Sequence, residues 1–413
     1  MLHDAFKHFL ARPDFWGIVS IPLVAAIVTW VHVWLAMKMV FQPLEFIGYK
    51  PWYLGWQGII PRKAGRMAGI IVDNALEKLG SVEIFFSECQ PEEVARQIAL
   101  YVNEHAEEIS DDVMQQHSPV LWDNLPRDAR QMVVRALRRH ATEVSSNILK
   151  DLEAHVSDYI DLRQMVVRRM MEDKQLLVSM FQEVGHKEIR FIINSSFWIG
   201  LIFGLVQAML WIILPYGYGL PIYGAALGYL TNWVALTLVF EPVNPLRLGS
   251  KRWGWTLQGL FLRRQQEVSE MFAELTAREV LSIHNFMQEM FYGPRRERTR
   301  ALMQRHIRPL LEGLTVRGAA LLTMGPRAYA DLKLNLVDTV VKASLKPLAD
   351  PELNRIHGQL LRHSLSSRMQ QMSSQEFQGL LRPAFQEDEW ILITMGAIMG
   401  FLAGWLQLLL GFH

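Results

Sequence analysis

Two regimes of polar and apolar positions alternate along the chain. Between Arg190 and Glu241 there is no charged residue over 50 positions, broken only by LPYGYGLP at 214–221. That run supplies two helices and a tight turn, each long enough for a bilayer span of about 20 residues. A third charge-free run extends from Trp390 to the C-terminus. A fourth, FWGIVSIPLVAAIVTWVHVWLAMKMVF at 15–41, is apolar apart from His32 and Lys38 and contains Pro22. The pattern predicts transmembrane helices at 17–40, 192–214, 219–240 and 391–412.

The remaining sequence reads differently. PEEVARQIALYVNEHAEEI and PRDARQMVVRALRRHATEVSSNILKDLEAHV place apolar residues at three- and four-residue spacing among Glu, Arg and Lys. This is the signature of amphipathic helices. Prolines such as Pro91, Pro126, Pro294 and Pro351 mark helix starts or breaks. No sustained alternation demands a sheet, so the fold class is all-α. The expected order is an N-terminal segment (1–16), span one, an interfacial entry (41–66) and a helical domain (67–190). Spans two and three follow, then a second entry (241–266), a second helical domain (267–390) and span four.

This order contains an internal repeat. KMVFQP at 38–43 answers TLVFEP at 237–242; WQGIIPRK at 56–63 answers LQGLFLRR at 257–264; GLIFGLVQ at 200–207 answers GFLAGWLQ at 400–407. The offset stays near 200 residues. Each unit has an even number of spans, so the copies would be parallel, related by a pseudo-two-fold along the membrane normal, unlike the inverted repeats of many transporters.

Charge refines the topology. Lys50, Arg62, Lys63 and Arg66 follow span one, and Arg247, Lys251, Arg252, Arg263 and Arg264 follow span three. The other side offers only Lys7 and Arg12, opposed by Asp4 and Asp14. Positive residues favour the cytoplasm, which places the large domains there and both termini outside. The net charge of +1 gives no indication of a nucleic-acid partner. Cys89 is the single cysteine, so neither an internal disulfide nor a thiolate cluster can form. The opening MLHDAFKHFLARPDF shows no pattern of a removable signal peptide.

Candidate chemistry is sparse. Gly200 and Gly204, Gly224 and Gly228, and Gly396, Gly400 and Gly404 put small residues on one face of spans two, three and four, suited to close packing or to a groove for a lipid or ligand. His32, Lys38, Gln207, Asn232 and Gln407 form a candidate intramembrane polar site. Lys38 lies near enough to the span end to snorkel, and Asn232 requires a partner, either backbone carbonyls or Gln207. Trp52, Trp56, Lys50, Arg62 and Lys63 in the first entry, and Trp253, Trp255, Lys251, Arg252, Arg263 and Arg264 in the second, are candidate lipid-headgroup contacts. No catalytic constellation, phosphate-binding loop, metal-ligand spacing or cofactor motif is present in the sequence.

The same segments, together with GIIPRK at 58–63, TNWVALTLVFEP at 231–242, FLRRQQEVS at 261–269 and PAFQEDEW at 383–390, resemble the bacterial domain-of-unknown-function family 445. The resemblance implies an integral protein of the cytoplasmic membrane and transfers no catalytic residue. The family's Thr-Asn element matches Thr231 and Asn232; His32 and Val33 stand at the first-copy positions. The leading expectation is a non-enzymatic protein that organises membrane lipids, anionic ones included, or a cytoplasmic protein partner. Homo-oligomers that transport lipid or small molecules, and a lipid-modifying enzyme, are the alternatives.

Overall fold

A computed structural model describes residues 15–49, 54–117, 119–213, 219–248, 255–312, 326, 337–342, 345–386 and 389–409. The architecture is all-α, with four helices long and apolar enough to cross a membrane and extensive helical mass beyond them. We label the four α1 (Phe15–Phe41), α2 (Lys174–Ile213), α3 (Gly219–Phe240) and α4 (Glu389–Leu409). Residues with large apolar side chains, including Trp16, Trp198, Met209, Ile222, Trp405 and Leu409, remain exposed on these helices. Such a surface suits hydrocarbon as solvent and disfavours water. The chain is therefore a multi-pass integral membrane protein with large extramembranous helical regions.

Helix α2 differs from its expected bounds. The sequence predicts a span starting at 192, whereas one 40-residue helix runs unbroken from Lys174. Met180, Val184, Glu188, Ile192, Ser196, Gly200, Gly204 and Ala208 are all buried at four-residue spacing. One packing stripe thus continues across the change from charged to apolar sequence, and nothing in it breaks the helix.

The chain divides into two compact units. The first comprises Met1–Asn74, Met170–Met271 and Met369–His413, and holds all four apolar helices. Here α1 packs along α2 and α3 along α4, while contacts of α2 with α3 and of α1 with α4 join the pairs into a bundle. Ile18, Ile21, Ala208, Trp211 and Leu220 form a shared buried cluster.

Prolines end α1 and α3. Both Gln42–Pro43 and Glu241–Pro242 are cis peptides, and proline cannot continue a helical hydrogen-bond ladder. A small antiparallel ribbon follows each. β1 (Ile47–Tyr49) pairs with β2 (Leu54–Trp56) in the register Ile47↔Trp56, and β3 (Leu246–Leu248) pairs with β4 (Trp255–Leu257) in the register Leu246↔Leu257. The backbone N–H of Gly58 donates to the Pro43 carbonyl at 2.9 Å, and that of Gly259 to the Pro242 carbonyl at 3.0 Å. Gln57 Nε2 donates to the Leu44 carbonyl at 2.7 Å, and Gln258 Nε2 to that of Val243 at 3.2 Å. Neither glycine leaves room for a side chain: a Cβ on Gly58 would lie 2.8 Å from the Gln42 nitrogen, and one on Gly259 2.6 Å from the Phe240 carbonyl carbon. Three-residue strands are too short to register as sequence alternation, so the ribbons went unpredicted.

The second unit combines Ala75–Arg169 with Phe272–Arg368, parts of both long excursions. Helix Pro91–Glu104 starts on its proline and buries Val94, Ala95, Ile98, Ala99 and Val102 along one face. It packs against the long helix Arg127–Ala154, whose Val134, Ala141 and Ile148 are buried at seven-residue intervals. Phe86 and Phe286, both fully buried, meet edge to face at 5.7 Å. Removing each ring from water stabilises the unit by about 2 kcal/mol. Beside them lies Cys89, whose thiol is pushed up to about 12 by burial.

Candidate functional site

The intramembrane polar residues fall into distinct settings. His32 projects from α1 and Asn232 from α3, and both are buried. His32 Nε2 lies 3.3 Å from Asn232 Oδ1, while Asn232 Nδ2 donates to the Leu392 carbonyl of α4 at 2.7 Å. The amide oxygen can only accept, so Nε2 carries the proton of the His32–Asn232 bond. One side chain thereby ties α3 to both α1 and α4. Its partners are a backbone carbonyl and His32, and no hydrogen bond links it to Gln207.

Glycine permits these approaches. A Cβ on Gly228 would collide with the Gly396 carbonyl, and one on Gly224 with that of Gly400. Gly404 meets the Leu220 carbonyl in the same way. In the other pair, a Cβ on Gly200 would stand 2.8 Å from Thr29 Cβ, and one on Gly204 2.6 Å from Pro22 Cα. Backbones this close gain dispersion contacts that bulkier residues would prevent.

Gln207 and Gln407 are buried apart from the His32–Asn232 pair. Among the described residues Gln207 Nε2 has no hydrogen-bond partner. Lys38 is exposed in the last turn of α1, its ammonium 4.6 Å from the centre of the Trp34 ring.

Of the candidate headgroup contacts, Lys50, Trp52, Lys251, Arg252 and Trp253 lie outside the described residues, as does the turn at 214–218. Trp255 occupies β4. Trp56 donates its indole N–H to the Met39 carbonyl at 3.2 Å, fastening the first ribbon to the end of α1. Arg62 and Arg263 are exposed, Lys63 half-buried. Arg264 turns inward to Glu188 of α2 and to Glu267, whose carboxylate it meets at 2.9 Å. The Arg264 hydrogen bond, seconded by Lys187, holds the Glu267 carboxyl down at about 2.

Glu188 is the residue that sequence reading passed over. It is 5% exposed, just outside the span expected from charge. Its position in the four-residue stripe of α2, between Val184 and Ile192, is the signal that marks it as buried.

Among the described residues, no group of three His, Cys, Asp or Glu side chains is arranged to hold a metal ion. Comparison with protein-family models, with curated proteins and with solved structures returns no match.

Proposed function

We propose that the chain is a non-enzymatic protein of the bacterial cytoplasmic membrane that organises lipids or protein partners through cytoplasmic helical domains. The carrying observation is the His32–Asn232–Leu392 bridge inside a bundle whose glycine faces are in backbone contact. The strongest intramembrane polar residues serve cohesion between helices, as expected of an anchor. The likeness to the domain-of-unknown-function family 445 rests on the motif segments themselves.

We also read the chain as a parallel tandem duplication. The prolines that follow α1 and α3, the two ribbons, the paired Gly58 and Gly259 bonds and the paired glycine faces recur about 200 residues apart and support that reading. A tag at the C-terminus reached only from outside the cytoplasm supports the proposed orientation; one reached only from the cytoplasm reverses it.

One observation favours transport instead: the buried Nε2 of Gln207, which has no hydrogen-bond partner among the described residues. Sealed vesicles containing the full chain separate the readings. Anchoring predicts ion and solute leakage equal to that of protein-free vesicles. A saturable flux abolished by Gln207→Leu would establish transport and overturn the anchoring role.

A further inference from the structure

We propose that the first helix pair holds the phosphate headgroup of an anionic phospholipid in a cavity where α1 ends, with Lys38 and Arg190 as its charge partners. This deepens, and rests on, the reading of the chain as an organiser of lipids or partners.

The cavity measures about 420 Å³, within the ordinary range for small-molecule sites. From α2 it receives Gln182, His186, Arg190 and Asn194, which four-residue spacing places on one helix face. From α1 come Trp34, Lys38 and Phe41. His186 Nδ1 lies 3.0 Å from the Glu183 carbonyl and donates to it; Nε2 of the neutral ring is then an acceptor, so the charge of an anion is met by Lys38 and Arg190. Among the described residues no carboxylate lines the cavity, and neither Lys38 nor Arg190 forms an ion pair.

Position identifies the anion as lipid. Arg190 is the last charge before the apolar half of α2, and Lys38 occupies the last turn of α1. Both lie where polar headgroups meet hydrocarbon, where cations attract anionic lipid. Toward the hydrocarbon, Val31, Trp34 and Leu35 are exposed on α1 and offer an apolar surface for acyl chains.

The second helix pair supplies an internal contrast. Gln42 precedes Pro43, but Glu241 precedes Pro242 and pairs with Arg382 at 2.7 Å. Two hundred residues beyond Gln182, His186 and Arg190 stand Arg382, Gln386 and Trp390. An internal ion pair takes up charge there, whereas the first pair leaves its cations for an external anion.

The test uses the full chain in nanodiscs of phosphatidylcholine containing phosphatidylglycerol, with retained lipid measured by native mass spectrometry. Lys38→Gln and Arg190→Gln should each weaken phosphatidylglycerol retention by roughly fivefold, the effect of about 1 kcal/mol per cation at the membrane surface. Arg139→Gln, exposed on the long helix of the second unit, should leave it unchanged. Gln42→Glu should also weaken retention with every cation kept, and Glu241 occupies the matching place before Pro242. Unchanged retention in Gln42→Glu and Arg190→Gln overturns the proposal. So does inorganic phosphate binding with this residue dependence when phosphatidylglycerol is not retained. Loss of the lipid site without solute flux leaves organisation of protein partners standing; flux with intact, residue-dependent retention removes the anchoring role and keeps the site.

Discussion

An amide in an apolar bundle has two N–H donors and a carbonyl acceptor to accommodate. Asn232 directs one donor to Leu392 and its acceptor to His32. Asn232→Leu should therefore destabilise the membrane bundle by about 1–2 kcal/mol, read as a lower unfolding temperature in detergent. Glycines separate in the same assay. Gly228→Ala should destabilise strongly, because its Cβ meets the Gly396 backbone. Gly185→Ala should stabilise by about 0.5–1 kcal/mol, since its Cβ meets only Ile189 Cδ1, at 3.8 Å. The need for a partner at Asn232 was legible from the sequence, because an unpaired amide in hydrocarbon is costly. Which helix brings that partner was not: the bonds cross 200 and 160 residues, and periodicity within one helix carries no information about its neighbours.

At the level of elements, hydropathy located all four apolar helices. Charge was the poorer guide where it changed within a helix, as in α2. Glu188, Arg264, Glu267 and Lys187 fasten α2 to the segment after the second ribbon. The Glu267 carboxyl is depressed from 4.5 to about 2. Its contribution is therefore full above pH 4.5 and fades as pH falls toward 2. Glu267→Gln should lower stability near neutral pH and flatten the decline between pH 5 and 3, as followed by thermal unfolding across that range. An unchanged acid limb would show that the carboxylate is not the coupled group.

Across the whole molecule, the sequence revealed two helical excursions but not that both contribute to one compact unit. The contacts responsible are remote in the chain. Cys89 Sγ lies 3.7 Å from the Leu281 carbonyl, and Arg368 bonds Glu88 at 2.7 Å. Arg168 pairs with Glu289, whose side chain is 3% exposed. Removing one member of such a pair strands a buried charge, so Arg168→Leu should cost about 3 kcal/mol. Joint replacement with Glu289→Leu should recover most of that loss, because the stranded charge then disappears. Denaturant unfolding of the single and double variants measures the difference.

The unbroken α2 gives the bundle the geometry of a lever. Its 40 residues span about 60 Å at 1.5 Å per residue, and roughly 25 Å of this precedes the apolar half. With no hinge between these parts, any inclination of the span is inherited by the outer arm. A tilt change of about 10°, well within the range that bilayer thickness imposes on spanning helices, would sweep the Lys174 end through about 4 Å.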